Sequence, residues 1–324
     1  DVCSSDLRSL QALNPEISVT GDAVGSFASP GGPAGSDATA VPRGFEVSLQ
    51  AALDPSTRAK AFVVREEEVP VAGLGEGDEE GGEEGAVEVE EAYMYWVGLP
   101  GGLGAKVGKF RQRFGLYNRW HDHALLEVDR PLPYGAFLGG ALIQTGAGVT
   151  LPSIGLGPST NTIAVEATRG SNDLLFRGGN EITYSGRWES FFDLGPASFL
   201  QVGGSGVYGE NDEEGLRSRV LGFDAYFRWT PPGRGLYRDL QVKAEWMLAD
   251  QDTETGDLDG HGGYLQASYR LDRRWTLGAR GDWVDRLGPG PDLLQLAPSV
   301  TYWQSEWVRL RFQYNLVRPD GGPD

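Results

Sequence analysis

About fifteen stretches of this chain alternate apolar and polar residues one by one, and many hold the alternation for about ten residues. Each such run is a β-strand with one greasy face and one wet face. The last is the cleanest, with Val308, Leu310, Phe312, Tyr314 and Leu316 interleaved with Arg309, Arg311, Gln313 and Asn315. In the same way Leu240, Val242, Ala244, Trp246 and Leu248 oppose Gln241, Lys243 and Glu245. Trp275, Leu277, Ala279 and Trp283 oppose Thr276, Arg280 and Asp282. Strands of a soluble sandwich also alternate, but they stop after about 5–6 residues. A run of about ten is long enough to cross a bilayer at a tilt. Trp and Tyr recur at the strand ends, where an interfacial girdle places them. No helix-period stretch competes, so the pattern predicts an all-β chain with no convincing helix.

The connections point the same way. "LDPST", "LPGGL", "LGPAS", "LDRR" and "QSE" are tight turns, and "PPGRGLYRD" is somewhat longer. Between them come long links: "ASPGGPAGSDATAVPR", an acidic insertion, the stretch 115–140, "GENDEEG" and "ADQDTETGDLDGHG". A transmembrane barrel sorts its connections in this way, with short turns on one rim and long loops on the other. The expected fold is therefore an antiparallel transmembrane β-barrel formed by one domain, 13–324. Bacterial single-chain barrels have even strand numbers, so about fifteen strands imply a sixteenth after an external loop that begins at "VRPDGGPD". Residues 1–12 are expected to be non-native or disordered, because "DVCSSDL" looks like a translated sequencing adapter.

Composition narrows the function classes. No stretch reaches the ~18 consecutive apolar residues of a transmembrane helix, which says nothing against a barrel. A net charge of -18 excludes general nucleic-acid binding, which needs basic surface. From Glu66 to Glu91 there are twelve acidic residues and no Lys or Arg. Its Gly/Glu-rich part, 66–86, reads as a solvated loop, or as a screen that gathers cations at a pore mouth. The single cysteine, Cys3, excludes an internal disulfide.

Candidate functional residues cluster in the middle of the chain. Lys106, Lys109, Arg111 and Arg113 crowd one strand and are followed by Arg119 and Arg130. Inward basic side chains favour anions in a pore, or else hold a constriction loop by pairing with Glu127 and Asp129. The stretch 115–140 is expected to fold into the lumen, packed down by Trp120, Pro131, Pro133, Tyr134 and Phe137. Arg119, His121 and Arg130 would line the constriction, and Lys106, Arg111, Lys243, Glu245, Arg280, Asp282, Arg309 and Arg311 the pore. His121 and His123 form a His-x-His pair able to bind Zn or Cu, with Glu127, Asp129 or His261 as further ligands. A divalent cation is the one cofactor under consideration. No Gly-x-Ser-x-Gly element or placed nucleophile is present, so no enzymatic activity is expected.

The block "VEVEEAYMYWVGLPGGLGAKVGKFRQRFGLYNRWHDHALLEVDRPLPYGAFLGG" resembles a family of porin-like barrels of the Gram-negative outer membrane. Some members carry the label of zinc-regulated TonB-dependent receptors. "LNPEISVTGD" and "LAPSVTYWQSEWVRLRFQYN" look like the first and penultimate strands of the same family. "VGKFRQRFG" is similar to a strand segment of phosphate-selective porins, with Arg113 where those have Pro. The resemblance implies an outer-membrane channel for passive diffusion of small polar or ionic solutes. Its surroundings would be outer-membrane lipid and lipopolysaccharide, with a homotrimer left open. The alternative it implies is a non-conducting binding or receptor barrel linked to zinc.

Overall fold

The computed structural model describes residues 15–27, 38–66, 87–172, 174–177, 181–211, 215–235, 237–288 and 290–320. The expected N-terminal segment 1–12 and the acidic loop beyond Glu66 lie outside these residues. The chain divides into two compact units, 1–110 with 145–152, and 111–144 with 153–324.

In the first unit β1 (Glu16–Phe27), β2 (Ala38–Ala52), β3 (Thr57–Glu66), β4 (Val87–Leu99) and β5 (Leu103–Arg111) pair consecutively and antiparallel. Most of β6 (Ile143–Thr150) also belongs here. Thr57 and Ser56 donate their backbone N–H groups to Asp54, which closes the turn between β2 and β3. The Thr57 side chain, then the Ser56 N–H and hydroxyl, hold the exposed Asp54 carboxyl down at about 2. Register slips between Phe62 and Val63, so Glu90 is left as a bulge in β4.

The second unit carries β7 (Ile154–Leu156), β8 (Ser159–Arg169), β9 (Ile182–Asp193), β10 (Ser198–Glu210) and β11 (Arg217–Trp229). It continues through β12 (Asp239–Thr253), β13 (Gly256–Arg270), β14 (Trp275–Asp285) and β15 (Asp292–Trp303). Each pairs antiparallel with the next, and β15 pairs with both β16 (Arg309–Gln313) and β17 (Leu316–Asp320).

Burial is inverted relative to a water-soluble protein. In the second unit Leu221, Phe223, Trp246, Leu248, Leu277 and Leu296 are exposed, with Leu265 at 59% and Phe312 at 69%. The residues between them in sequence are the buried ones: Asp224, Lys243, Glu245, Gln266, Asp282 and Gln295, with Arg280 at 0%. The first unit repeats this, exposing Ile17, Val19 and Phe45 while burying Glu46, Glu90 and Glu91. Water would penalise the apolar face and drive it together, whereas lipid leaves it outward and lets the polar face turn in. A sandwich burying its apolar faces is therefore excluded.

Three expectations are corrected. A short helix, α1 (Leu132–Leu138), lies in the stretch expected to hold none. Seven residues are too few to display a helical period, and an isolated helix of this length would not form without packing. It is started by Pro131 and Pro133 and ended by Gly139 at φ +61. Second, "ADQDTETGDLDGHG" is no long loop, because β12 and β13 stay paired up to Thr253 opposite Gly256. Those extensions are polar on both faces, so alternation cannot reveal them. Third, Leu316–Asp320 is strand and not the start of a loop. The final strand is interrupted at Tyr314–Asn315, opposite Ala297 and Pro298, whose proline has no N–H to continue the ladder.

Candidate functional site

Segment 112–142 leaves β5 and lies on the polar face of β10–β16, all within the second unit. Its two ends are stapled together by Asn118. The Asn118 amide donates to the carbonyls of Gln112 and Leu142 at 2.8 and 3.0 Å, and its oxygen accepts from the Leu142 N–H at 2.7 Å. Gln112 in turn donates to Gln144 and Thr168 at 3.1 and 2.8 Å. All four of these side chains are buried. A buried amide must spend its donors and acceptors, and this arrangement spends most of them on closing the loop.

One seat for the loop is centred on Glu245. Its carboxylate accepts from the Leu116 N–H at 3.2 Å and from the hydroxyls of Tyr134 and Tyr264, each at 3.0 Å. The Tyr134 hydroxyl also accepts from the Tyr117 N–H. Burial, then the Glu245 carboxylate, pushes the Tyr134 phenol well above its ordinary range, so it stays a donor. Nearby, Ser205 accepts from the Gly115 N–H and from Arg187, which is itself paired with buried Asp224 at 2.7 Å. Lys243 sits 4.4 Å from the Tyr117 ring centre and 5.4 Å from those of Trp120 and Tyr226, an aromatic surround for a cation. Phe114 lies against Gly222, where a Cβ would stand 2.9 Å from its ring. Phe137 of α1 lies against Gly260 in the same manner.

The second seat is centred on Asp129. Arg280 donates to its carboxylate and to its backbone carbonyl at 2.9 and 2.8 Å, while its Nε binds Asp282 at 2.8 Å. The amides of Gln295, Gln313 and Asn315 also donate to Asp129, at 3.2, 2.6 and 2.9 Å. Burial works to raise the Asp129 carboxyl, but Arg280 and the amides of Gln313 and Gln295 outweigh it and hold it below its ordinary range. Arg311 donates to the carbonyls of Glu127 and Leu125, and Arg309 to that of His123.

Of the residues singled out in the sequence, Lys243, Glu245, Arg280, Asp282, Arg309 and Arg311 all meet on this loop face. Arg111 is buried at the loop entrance, within 3.4 Å of the Asn118 carbonyl. Arg130 holds Asp122 at 2.6 Å and the Tyr117 carbonyl at 3.1 Å. Arg119 is exposed, and so is Trp120, which was expected to pack the loop down. Pro131, Pro133, Tyr134 and Phe137 are buried. Lys106, in the first unit, lies 3.7 Å over the Phe110 ring. His121 caps a short 3-10 turn and His123 lies within it, their rings stacked 5.7 Å apart. His261 stands on the opposite, apolar face between Trp246 and Trp283, bridged to Asp285 at 3.4 Å. His261, one of the three further ligands considered for the His121–His123 pair, thus stands apart from it. Tyr117, Tyr264, Gln295 and Gln313 were not singled out, since nothing in a strand's own sequence marks a partner more than a hundred residues away.

No family model matches the chain. An uncharacterised protein of Aquifex aeolicus is 30% identical over 234 residues, which are 61% of this chain and 48% of that protein. The chain thus spans about half the length of the curated relative it matches. Among solved structures, an anion-selective porin from Comamonas acidovorans aligns with a TM-score of 0.63 at 10% identity, covering 94% of this chain and 90% of that one. OprB of Pseudomonas putida aligns at 0.59 and 12% identity, covering 96% and 91%. OmpT of Vibrio cholerae in its trimer form aligns at 0.57 and 11%, covering 94% and 89%. The fold is that of the bacterial outer-membrane porin barrels, and the exposed apolar face is the one that such a fold turns to lipid.

Proposed function

We propose that this chain is an outer-membrane channel for the passive diffusion of small polar or ionic solutes, with segment 112–142 as its constriction. The observation that carries the reading is the loop's attachment to the polar face. Asp129 alone receives donors from Arg280, Gln295, Gln313 and Asn315. A loop fixed by buried charges and amides keeps one shape, so it can set a size limit that a mobile loop could not. The loop face would then be the lumen wall, where charged and amide groups replace part of a solute's hydration. Nothing in this chemistry calls for a nucleophile or a cofactor. A homotrimer is the assembly to look for, by crosslinking in detergent, since OmpT of Vibrio cholerae is described in a trimer form.

Liposome swelling is the direct test. Vesicles carrying the protein should swell in a monosaccharide and resist a tetrasaccharide. Vesicles indifferent to both would point instead to a closed binding barrel.

A further inference from the structure

Three arginines stand at the short-turn end of β12–β14: Arg238 in the link that leads into β12, and Arg273 and Arg274 in the turn between β13 and β14. All three are exposed. Each is held by a tyrosine rather than by a carboxylate. Arg238 donates to the Tyr269 hydroxyl at 2.8 Å, Arg273 lies 4.9 Å from the centre of the Tyr237 ring, and Arg274 stands within 3.4 Å of the Tyr302 hydroxyl. Tyr237 and Arg238 are consecutive, so these contacts gather the cations into one patch. Among the described residues none of the three is ion-paired. Phenols and rings fix a guanidinium in place without cancelling its charge. The one acid in the same two links, Asp272, spends an oxygen on the N–H groups of Arg274 and Trp275 at 2.7 and 2.9 Å.

The tyrosines that hold them lie on the outward face of the strands. Cross-strand partners share a face, and the register sets Tyr269 opposite Leu277 and Tyr302 opposite Trp275. Leu277 and Trp275 are both exposed, on the side that such a fold turns to lipid. The cations therefore stand where the apolar face ends, beside Trp275 packed on Tyr302 at 4.9 Å between ring centres. The other end of the β12–β13 hairpin is the reverse. There Asp250 and Asp252 stand opposite Asp259 and Asp257, and Arg219 is bridged to Asp250. The two ends of one lipid-facing hairpin carry opposite charge.

We propose that this patch docks an anionic phospholipid, its phosphate on Arg238, Arg273 and Arg274 and its acyl chains along Leu277 and the apolar face beside it. Charge complementarity carries the assignment, because guanidinium groups with no carboxylate partner suit phosphate oxygens that accept several N–H donors at once. A free anion would use the cations alone, whereas a lipid covers the adjoining apolar face as well. Short turns mark the periplasmic rim of outer-membrane barrels, so the lipid belongs to that leaflet. The inference does not depend on whether the barrel conducts.

The test is native mass spectrometry of the refolded full chain in a neutral detergent, titrated with phosphatidylglycerol or phosphatidylcholine, with inorganic phosphate as competitor. Saturable adducts of phosphatidylglycerol are expected, with weaker retention of phosphatidylcholine and no displacement by an equal concentration of phosphate. Arg238→Gln, Arg273→Gln and Arg274→Gln should each weaken retention about fivefold, the worth of one cation beside an anionic headgroup. Arg219→Gln, at the acidic end of the hairpin, should leave it unchanged. Tyr302→Phe keeps every charge but releases Arg274, and should weaken retention by less. It carries the test if an arginine variant fails the gel shift of the folded barrel. Absence of saturable adducts, phosphatidylcholine retained as tightly as phosphatidylglycerol, displacement by equal phosphate, or retention indifferent to every folded variant of the patch overturns the proposal.

Discussion

Arg280 and Arg270 stand on neighbouring strands, on the same loop-bearing face, in opposite chemical settings. Arg280 is fully buried and spends its charge inside the protein, on Asp282, on Asp129 and on two loop carbonyls. Arg270 lies against the Trp303 ring, and its Nε has no hydrogen-bond partner in the protein. The first region is a fastening, and the second holds its cation only against a ring. A buried ion pair whose partner is deleted leaves an uncompensated charge, whereas an unpaired cation is removed at little cost.

The largest effect should follow from breaking the fastening. Arg280→Met strands Asp129 and Asp282 together and should cost about 3–5 kcal/mol. Urea titration followed by the gel shift of the folded barrel would read it. Tyr134→Phe removes one hydroxyl between Glu245 and the Tyr117 N–H, leaving buried groups unmatched, and should cost about 1–3 kcal/mol in the same assay. Arg270→Gln should lose only about 0.5–1 kcal/mol, the worth of its contact with Trp303. If Arg270→Gln proved as damaging as Arg280→Met, the contrast between the two regions would be wrong.

Acid offers a way to sharpen the contrast. The Asp129 carboxyl is held below its ordinary value of about 3.9, so its contribution is fully present above that pH and is lost as pH falls through the depressed value. Backbone amide hydrogen exchange in the loop around Asp129 should therefore stay slow at pH 5. Release of the loop, read as a rise in conductance, should begin only below the usual carboxylate range. In Arg280→Met the same release should move to higher pH. Arg270→Gln should not alter this profile.

The faces of these strands were legible residue by residue. Period-two alternation already separates Lys243 and Glu245 from Trp246 and Leu248, and Arg280 and Asp282 from Leu277 and Trp283. The seat of the loop was legible only in part. Glu127 and Asp129 are visible as carboxylates near a basic strand, but the pairing of Asp129 with Arg280 spans 151 residues and depends on register. The interruption at Tyr314–Asn315 has its cause in Pro298, on a different strand. Helix α1 is too short for its period to show, and the polar tips of β12 and β13 lack the contrast between faces that identifies a strand.

Single-channel conductance in planar bilayers, with the native chain beside Asp129→Ala, bears most directly on the central claim that a fastened loop constricts an aqueous channel. Discrete current steps are expected from the native chain, and larger steps once Asp129 no longer holds the loop. Silent bilayers, or steps of equal size in both proteins, would contradict it.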